Sequence, residues 1–460
     1  MNKCKRERIV LINPTTQSRK KVLRVERCQQ RRLFTVGLWP PVTLLEIATY
    51  LQYCGYNNIA IIDAEAENYD FTTMIQRIVQ EKPVVVIVST TTPTLEDDVA
   101  LAMNLKKFDN RLIVIACGIH ATLKPNDFLG KNRFDFCTIG EPEIVVCDLL
   151  EILLVEKSDV DNVKSVAYLD NDEVHITEKA LPRESYDYPI MPDRTLLKND
   201  LYRLPFTRTK FTTIKISRGC DYGCMFCTSA SYYGKGWKTR SVSSIIAEIK
   251  DCIKKYNIKT FLFLSDTFNA RKEFVEELCS SIQEEKLDIR WVVNSRIDLM
   301  DESSVITMKK AGCILVSLGI ESFDTEVQKI NKKNLDITKI DSGLKALSAA
   351  HIYTYGYFII GLYGDSIQKT LRTIYLAWKS PLDFACFYSV TPYPGTAYYD
   401  EFKSEDKSQY FHGDSTCVKH GAFTPLTVVL LKLCAYIFFY FSIRRLRLIM
   451  TYVIKGRICY

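Results

Sequence analysis

Arg218-Gly219-Cys220-Asp221-Tyr222-Gly223-Cys224-Met225-Phe226-Cys227 places three cysteines at C-x3-C-x2-C, directly after a predicted strand. Three thiolates on so short a loop can hold three irons of a [4Fe–4S] cube and leave the fourth iron open to a ligand. Gly219 and Gly223 let the loop turn tightly, and Phe226 can shield a cluster from water. The rival reading is zinc, which takes four protein ligands, commonly as two spaced pairs. No second C-x2-C stands elsewhere in the chain to complete such a set.

Outward from this loop the chain alternates strand and helix. Strands are expected over 213–217, 260–264, 290–293, 314–318, 354–360 and 384–390, and helices over 241–256, 272–284, 302–311 and 337–350. Six strands are too few for a closed eight-fold barrel, so a (β/α)6 partial barrel is the expected form over 206–400. Upstream, short Val/Ile runs at 9–12, 59–62, 84–88, 112–116 and 136–139 alternate with helical stretches at 42–54, 71–80 and 95–107. Continuous apolar runs mean strands buried on both faces, hence a parallel sheet, and the alternation with helices means an open doubly wound, Rossmann-like domain over 1–155. Between them, 156–205 reads as a linker, with a hairpin at 163–176 turning on Asp170-Asn171-Asp172 and then a proline-rich, charged stretch through Pro182, Pro189 and Pro192. Residues 401–460 form a helical extension.

Composition narrows the class. With 460 residues, 47% hydrophobic and 25% charged, the chain is neither disordered nor collagenous nor a small disulfide scaffold. A net charge of +7, from 61 basic and 54 acidic side chains, is too mild over this length to argue for nucleic acid. Most of the 16 cysteines sit singly in apolar runs, as reduced buried cysteines do. The basic opening 1–8 leads to an apolar run that stops at Asn13-Pro14, which is not a secretory signal. A reducing, cytoplasmic setting is the expectation.

The cysteine motif and the strand ends after it resemble the radical S-adenosylmethionine superfamily. The matching pieces are Arg240-Ser241, Asp266-Thr267-Phe268, Asn294-Ser295-Arg296, Gly319-Ile320-Glu321-Ser322, Ile360-Gly361 and Pro392-Tyr393-Pro394-Gly395-Thr396. The resemblance implies that Cys220, Cys224 and Cys227 bind the cluster. It also implies that S-adenosylmethionine chelates the open iron and is cleaved by an electron from it to a 5′-deoxyadenosyl radical. Phe226, Asp266, Ser295, Arg296, Glu321, Ser322 and Gly361 would then line the S-adenosylmethionine site. Arg296 is suited to the substrate carboxylate and Glu321 to the ribose hydroxyls, the alternative for each being an ordinary ion pair. One departure is Gly361-Leu362-Tyr363-Gly364-Asp365, where the family often reads Gly-x-Pro-Gly-Glu.

Residues 1–150 resemble the cobalamin-binding domain fused in front of many such enzymes. Asn13, Pro14, Ser89, Thr90, Thr91, Thr92, Gly118, His120, Gly140, Glu141 and Glu143 are the implied cobalamin-binding positions. The threonine hydroxyls would meet amide and phosphate groups, and Gly118 would let the backbone approach closely. None of His120, His175, His351, His412 or His420 stands in Asp-x-His-x-x-Gly. The resemblance therefore implies base-off cobalamin without a protein histidine ligand. Trp39-Pro40-Pro41, preceded by the basic stretch 24–32, is found in relatives acting on tetrapyrroles or other bulky substrates; simple packing is the alternative.

The carboxyl end runs apolar over 426–443, broken by Lys432 and followed by Arg444, Arg445, Arg447, Lys455 and Arg457. Three readings fit: a helix packed on the barrel, peripheral membrane contact, or a short span. The family resemblance implies an enzyme. C-methyl transfer to an unactivated carbon is the first reading. The alternatives are an anaerobic oxidative cyclase of the magnesium-protoporphyrin monomethyl ester type, or a non-catalytic binding protein. The implied partners are a small-molecule substrate (a lipid, tetrapyrrole or other bulky metabolite) and a low-potential electron donor such as flavodoxin or ferredoxin. Cys386 and Cys417 are candidate hydrogen donors that nothing in their spacing requires.

Overall fold

The computed structural model describes residues 3–18, 22–25, 38–181, 183, 185–204, 208–402 and 421–455, the last four by backbone alone. Most of the basic stretch before Trp39, together with Pro182, Cys417 and His412, lies outside the described residues. In chain order the elements are β1 (Ile9–Asn13), α1 (Val42–Tyr53), β2 (Ile59–Asp63), α2 (Phe71–Gln80), β3 (Val85–Ser89), α3 (Leu95–Phe108) and β4 (Ile113–Cys117). Then follow α4 (Ile119–Leu123), β5 (Phe136–Thr138), α5 (Pro142–Leu150), β6 (Val166–Asp170), β7 (Glu173–Ile176), β8 (Thr212–Lys215), β9 (Ser217–Arg218) and α6 (Ser229–Tyr233). Next are β10 (Lys238–Thr239), α7 (Val242–Tyr256), β11 (Thr260–Leu264), α8 (Lys272–Glu284), β12 (Arg290–Ser295), α9 (Glu302–Lys310) and β13 (Cys313–Glu321). The series closes with α10 (Thr325–Ile330), α11 (Thr338–Ala349), β14 (Tyr353–Ile360), α12 (Ile367–Lys379), β15 (Phe384–Ser389), α13 (Ala397–Glu401), α14 (Pro425–Tyr440) and α15 (Ile443–Lys455). The chain divides into two compact units, one holding the described residues of Met1–Leu33 with Leu38–Tyr202 and Ser231–Tyr233, the other Arg203–Ala230 with Gly234–Tyr460.

The first unit is built on a seven-stranded sheet in the order β2-β1-β3-β4-β5-β6-β7. Its first five strands pair in parallel. Alternate residues of the same strand serve two separate cores. Ile9, Leu11, Val85 and Ile87 pack under α1 and α5, while Val10, Ile12, Val86 and Val88 pack under α2 and α3. This is the two-sided covering that continuous Val/Ile runs require. The expected linker departs from its sequence reading: its hairpin extends this sheet, β5 pairing antiparallel with β6. The reason is local. Val166 and Ala167 are buried against the sheet, and Asn171 and Asp172 take the left-handed conformation (φ 48° and 65°) that a tight two-residue turn needs. Further along, Tyr202 is buried and donates to Asp63 at 2.8 Å, and Tyr188 donates to buried Glu46 at 2.7 Å, so the segment is anchored to the sheet's own elements. Pro41 stands just before α1 as its N-cap residue.

The second unit has six parallel strands in the order β15-β14-β13-β12-β11-β8. The six expected strands are present in sequential order. Helices α7, α8, α9, α11, α12 and α14 all contribute to one core on one face, with Phe263, Trp291, Leu318, Phe358 and Phe387 from the strands. The opposite face carries half-buried Asn294, Ser317, Tyr355, Tyr357 and Tyr388. The sheet is open, with β8 and β15 at its edges.

An open edge exposes unpaired backbone groups and invites association. Here α14 covers it. The Tyr440 hydroxyl accepts from Ala385 N at 3.2 Å and donates to Ala385 O at 3.1 Å, and the Tyr436 hydroxyl accepts from Phe387 N at 3.2 Å. Val428, Leu431, Ala435 and Phe439 of the same helix are buried in the core. Beyond the helix, the buried guanidinium of Arg445 donates to the carbonyls of Trp378, Ser380 and Leu382 and to that of Phe439, at 2.9–3.0 Å. No single described helix is long and apolar enough to cross a membrane; the apolar run 426–443 breaks at Phe441–Ser442, and α14 and α15 meet there at 84°.

Replacing Tyr440 by Phe leaves both groups of Ala385 unpaired at the edge. Hydrogen exchange at the Ala385 amide should rise roughly tenfold, the equivalent of about 1.4 kcal/mol, with the amides of β11 and β12 unchanged.

Candidate functional site

In the second unit, β8 delivers the chain to β9 and the cysteine loop at the carboxyl end of the sheet, where open parallel sheets place ligands. Cys220, Cys224 and Cys227 are all half-buried. Cys220 Sγ lies 3.3 Å from Thr267 Oγ1, and Cys227 Sγ accepts from Ser229 N at 3.4 Å. Burial pushes the Cys224 thiol up to about 11, partly offset by the nearby Lys333 ammonium. The loop is tied down at Met225, whose N–H donates to Asn331 O at 3.1 Å and whose carbonyl accepts from Ala397 N at 3.2 Å. Open space surrounds Gly223, where a Cβ would meet nothing within 4 Å. Among the described residues no three His, Cys, Asp or Glu side chains converge as a single ion requires. A cube spreads its thiolates over separate irons, and three thiols with one position left over are its donor set.

The expected S-adenosylmethionine residues fall into two groups. Ser295 ends β12, and its Oγ is buried with no hydrogen-bond partner among the described residues, as a position awaiting a polar ligand would be. Phe226 packs beside Leu362 and Tyr398, next to the loop of Gly361, whose φ is 87°. Glu321 sits at a bulge in β13 with φ 64°, and its Oε1 accepts from Lys333 Nζ at 3.1 Å. Gly319 makes room for this pair: a Cβ there would lie 2.7 Å from Glu321 Oε1 and 2.9 Å from Lys333 Nζ. The others are already engaged. The Arg296 fork, expected for a substrate carboxylate, is closed by Asp298 at 3.0 and 2.8 Å; its remaining N–H groups reach Lys333 O and Asn334 O, and its plane lies 3.8 Å from the Tyr222 ring centre. Ser322 Oγ accepts from Asp324 N at 3.1 Å and lies 3.3 Å from Thr373 Oγ1. Asp266 accepts from Ser229 Oγ at 2.6 Å, which joins it to the start of α6. Tyr363, the departure from the family pattern, stacks on Tyr398 at 4.1 Å and Phe402 at 5.4 Å, and so fastens its loop to α13.

Lys333 is the residue that sequence reading missed. Burial pulls its ammonium down, and the charges of Glu321 and Cys224 more than restore it, so its pKa ends above the usual lysine value. Its only sequence signal is a run of cations, Lys329, Lys332 and Lys333, that reads as a solvated face.

In the first unit the strand order reverses between β1 and β3, the switch point at which doubly wound sheets open a crevice. Asn13 and Pro14 end β1 there, and Ser89 to Thr92 follow β3. The threonines serve the loop itself. Thr90 Oγ1 donates to Cys117 O at 3.0 Å, Thr91 Oγ1 lies 2.6 Å from Thr94 Oγ1, and Thr92 Oγ1 lies 2.9 Å from His120 Nδ1. Gly118 does allow close approach, but to protein: with φ 129°, a Cβ would sit 2.4 Å from Thr90 O. His120 is buried with Nε2 2.9 Å from Asp127, so both ring nitrogens are engaged. Gly140 N donates to Thr122 Oγ1 at 3.0 Å. Glu143 is buried and accepts from Arg183 at 2.5 Å, with Glu141 Oε2 3.8 Å from the same guanidinium, so these two carboxylates brace the hairpin-side segment.

Unmet polar atoms nonetheless gather at these strand ends. Asn13 Oδ1 after β1, Thr138 Oγ1 ending β5, and Arg24 Nε and Nη2 are buried without hydrogen-bond partners among the described residues. Arg24 Nη1 donates to Ser89 O and to Asp98, each at 2.8 Å. A ligand rich in amides and phosphate oxygens fits that set of donors and acceptors.

Comparison with known proteins agrees with this layout. The Radical SAM superfamily matches residues 214–377, and the B12 binding domain matches residues 35–150. An uncharacterized methyltransferase of Pyrococcus horikoshii is 28% identical over 85% of this chain and 82% of its own. The anaerobic magnesium-protoporphyrin IX monomethyl ester cyclase of Cereibacter sphaeroides is 26% identical over 81% of this chain, which spans 63% of that enzyme. Among solved structures, the radical S-adenosylmethionine methyltransferase TsrM from Kitasatospora setae, with cobalamin and a [4Fe–4S] cluster bound, superposes with a TM-score of 0.67 at 16% identity, over 86% of this chain and 74% of that one.

Two outcomes follow from the first unit's geometry. Gly118→Ala forces a side chain into Thr90 O at a φ that alanine resists, so the unit should lose roughly 3 kcal/mol or more, read as a drop in its thermal midpoint. Burial also pushes the carboxyls of Asp63 and Asp98 up from 3.8 to about 6. The folded state then holds those protons more tightly than the unfolded chain, so stability present below about pH 4 is lost as pH rises through about 6. Urea midpoints from pH 4 to 7 should fall accordingly, and Asp63→Asn should remove about half of the slope.

Proposed function

Because the chain is a radical S-adenosylmethionine protein that also carries a B12 binding domain, we propose that it is a cobalamin-dependent radical methyltransferase acting on an unactivated carbon of a small, bulky molecule. The observation that carries this reading is the three-cysteine loop held at the strand ends, its Tyr222 ring against Arg296 next to the unmet hydroxyl of Ser295, in a chain 28% identical to an uncharacterized methyltransferase over most of its length. When bound, the cofactors supply reductive cleavage of S-adenosylmethionine and a methyl group carried on cobalt.

The chain's own residues position these groups. Cys220, Cys224 and Cys227 hold the cluster. Lys333, buried at Glu321, supplies the cation for the S-adenosylmethionine carboxylate in place of Arg296, which Asp298 occupies. Ser295 donates to the same ligand, and Phe226 covers it from water. In the first unit, Asn13, Thr138 and Arg24 meet the amide and phosphate groups of cobalamin. His120, engaged on both nitrogens by Thr92 and Asp127, would not be a ligand to cobalt, which supports the base-off reading. The electron comes from a flavodoxin- or ferredoxin-type donor. The setting is cytoplasmic.

The similarity to the anaerobic cyclase supports a second reading, ring formation without methyl gain. One experiment separates the two. The protein is reconstituted anaerobically with iron, sulfide and hydroxocobalamin, then given methyl-labelled S-adenosylmethionine and reductant. The methyltransferase reading expects 5′-deoxyadenosine together with label on cobalamin. 5′-Deoxyadenosine with no labelled cobalamin favours the cyclase. Neither product from a cluster-loaded protein overturns both. Lys333→Met should weaken S-adenosylmethionine binding about tenfold while retaining iron.

A further inference from the structure

We propose that the face shared by α12, α14 and α15 is a docking surface that seats on a bilayer carrying anionic lipid head groups. This is independent of which reaction the enzyme performs.

Helix α14 is apolar almost all round, with Lys432 its single charge. A helix of that kind belongs in an interior or in lipid. Only one stripe of it is buried in the protein: Val428, Leu431, Lys432, Ala435 and Phe439. The other stripe, Leu430, Leu433, Ile437 and Phe438, is 43–61% exposed. The apolar surface continues in both directions. Past the bend, Phe441 and Ile443 are 78% and 72% exposed. On α12, Leu371, Tyr375 and Trp378 form an exposed stripe at helical spacing. Trp378 joins it to α14 through a 5.3 Å ring contact with Phe438 and a hydrogen bond from its indole to Phe441 O. Tryptophan, tyrosine and phenylalanine around an apolar patch are what the headgroup level of a bilayer accepts.

Charge decides the occupant. From residue 415 to the end the sequence holds no Asp or Glu; of its cations with described side chains, Lys432 and Arg445 are buried and Arg444 pairs with Asp383 at 2.8 Å, which leaves Arg447 to the surface. Arg447 is exposed on α15, with Lys379 and Arg372 exposed on α12. A second copy of the chain meeting this face about a two-fold axis would bring the basic α15 against itself, with no acid of its own to pair. An anionic membrane surface supplies both what the apolar stripe and what the cations lack.

The test is flotation of the full chain with vesicles of phosphatidylglycerol and phosphatidylethanolamine, against vesicles of phosphatidylcholine alone, at low and high salt. The expected result is binding to the anionic vesicles that weakens in high salt. The double variant L433E/I437E, at positions already exposed to solvent, should lower partitioning about tenfold, and Arg447→Glu should lower it on anionic vesicles only. Analytical ultracentrifugation and circular dichroism of each variant accompany the flotation. The proposal is overturned if the wild-type chain stays with the soluble fraction, or if L433E/I437E floats like wild type. It is also overturned if the wild-type chain is a dimer that this pair of changes dissociates, which would give the face to a second copy.

Discussion

A parallel strand must be buried on both faces and returned to the same end by a crossover, and this constraint organises both halves of the molecule. Because every crossover brings the chain back to begin again at the same edge, all strands finish together at the opposite one. The loops that leave those ends cannot join the ladder, so polar groups collect there. In the first unit the collection is Asn13, the threonines after β3, His120 and Thr138. In the second it is the cysteine loop, Ser295, Arg296 and Glu321. The sites are therefore placed by the direction of the strands, and loop chemistry decides only what they bind.

The two units meet the burial requirement differently. The first alternates its side chains between two cores with helices on each face. The second sends its aliphatic and large aromatic strand residues to a single helical side and keeps tyrosines, Ser317 and Asn294 on the other. A face lined in this way is one that a substrate can share. The open edge left by that arrangement is closed by the hydroxyls of Tyr436 and Tyr440, which do for β15 what a further strand would do.

Strand and helix positions were legible because local apolar periodicity sets them: β11, α2 and α8 fall where the spacing puts them. The hairpin's place in the first sheet was not, because β6 pairs with β5 across a helix and an irregular stretch, and pairing partners leave no periodic mark. Within the candidate sites, the cysteine loop was legible because its three cysteines lie within eight residues. Of the two readings open for Arg296, the ion pair is the one seen, for a local reason: Asp298 stands two places on and its carboxylate matches the guanidinium fork. At Gly118 the close approach is to Thr90 O, on a residue 28 places away that local spacing does not point to. Lys333 was hidden because a lysine's burial depends on the space that Gly319 leaves, and that is a fact of packing.

Arg445 has a consequence for how the carboxyl-terminal helices behave as a body. Its guanidinium sits where the final carbonyls of α12 and α14 converge, at the negative ends of two helix dipoles, and it neutralises both at once. Swinging α15 away would strand those carbonyls and their counter-charge together. The elbow is accordingly a rigid bracket and not a tether. Whatever meets the outer face of α14 is met at one fixed tilt, so a protein held there is oriented as well as retained, with the six strands of its second unit pointing in a single direction relative to the surface.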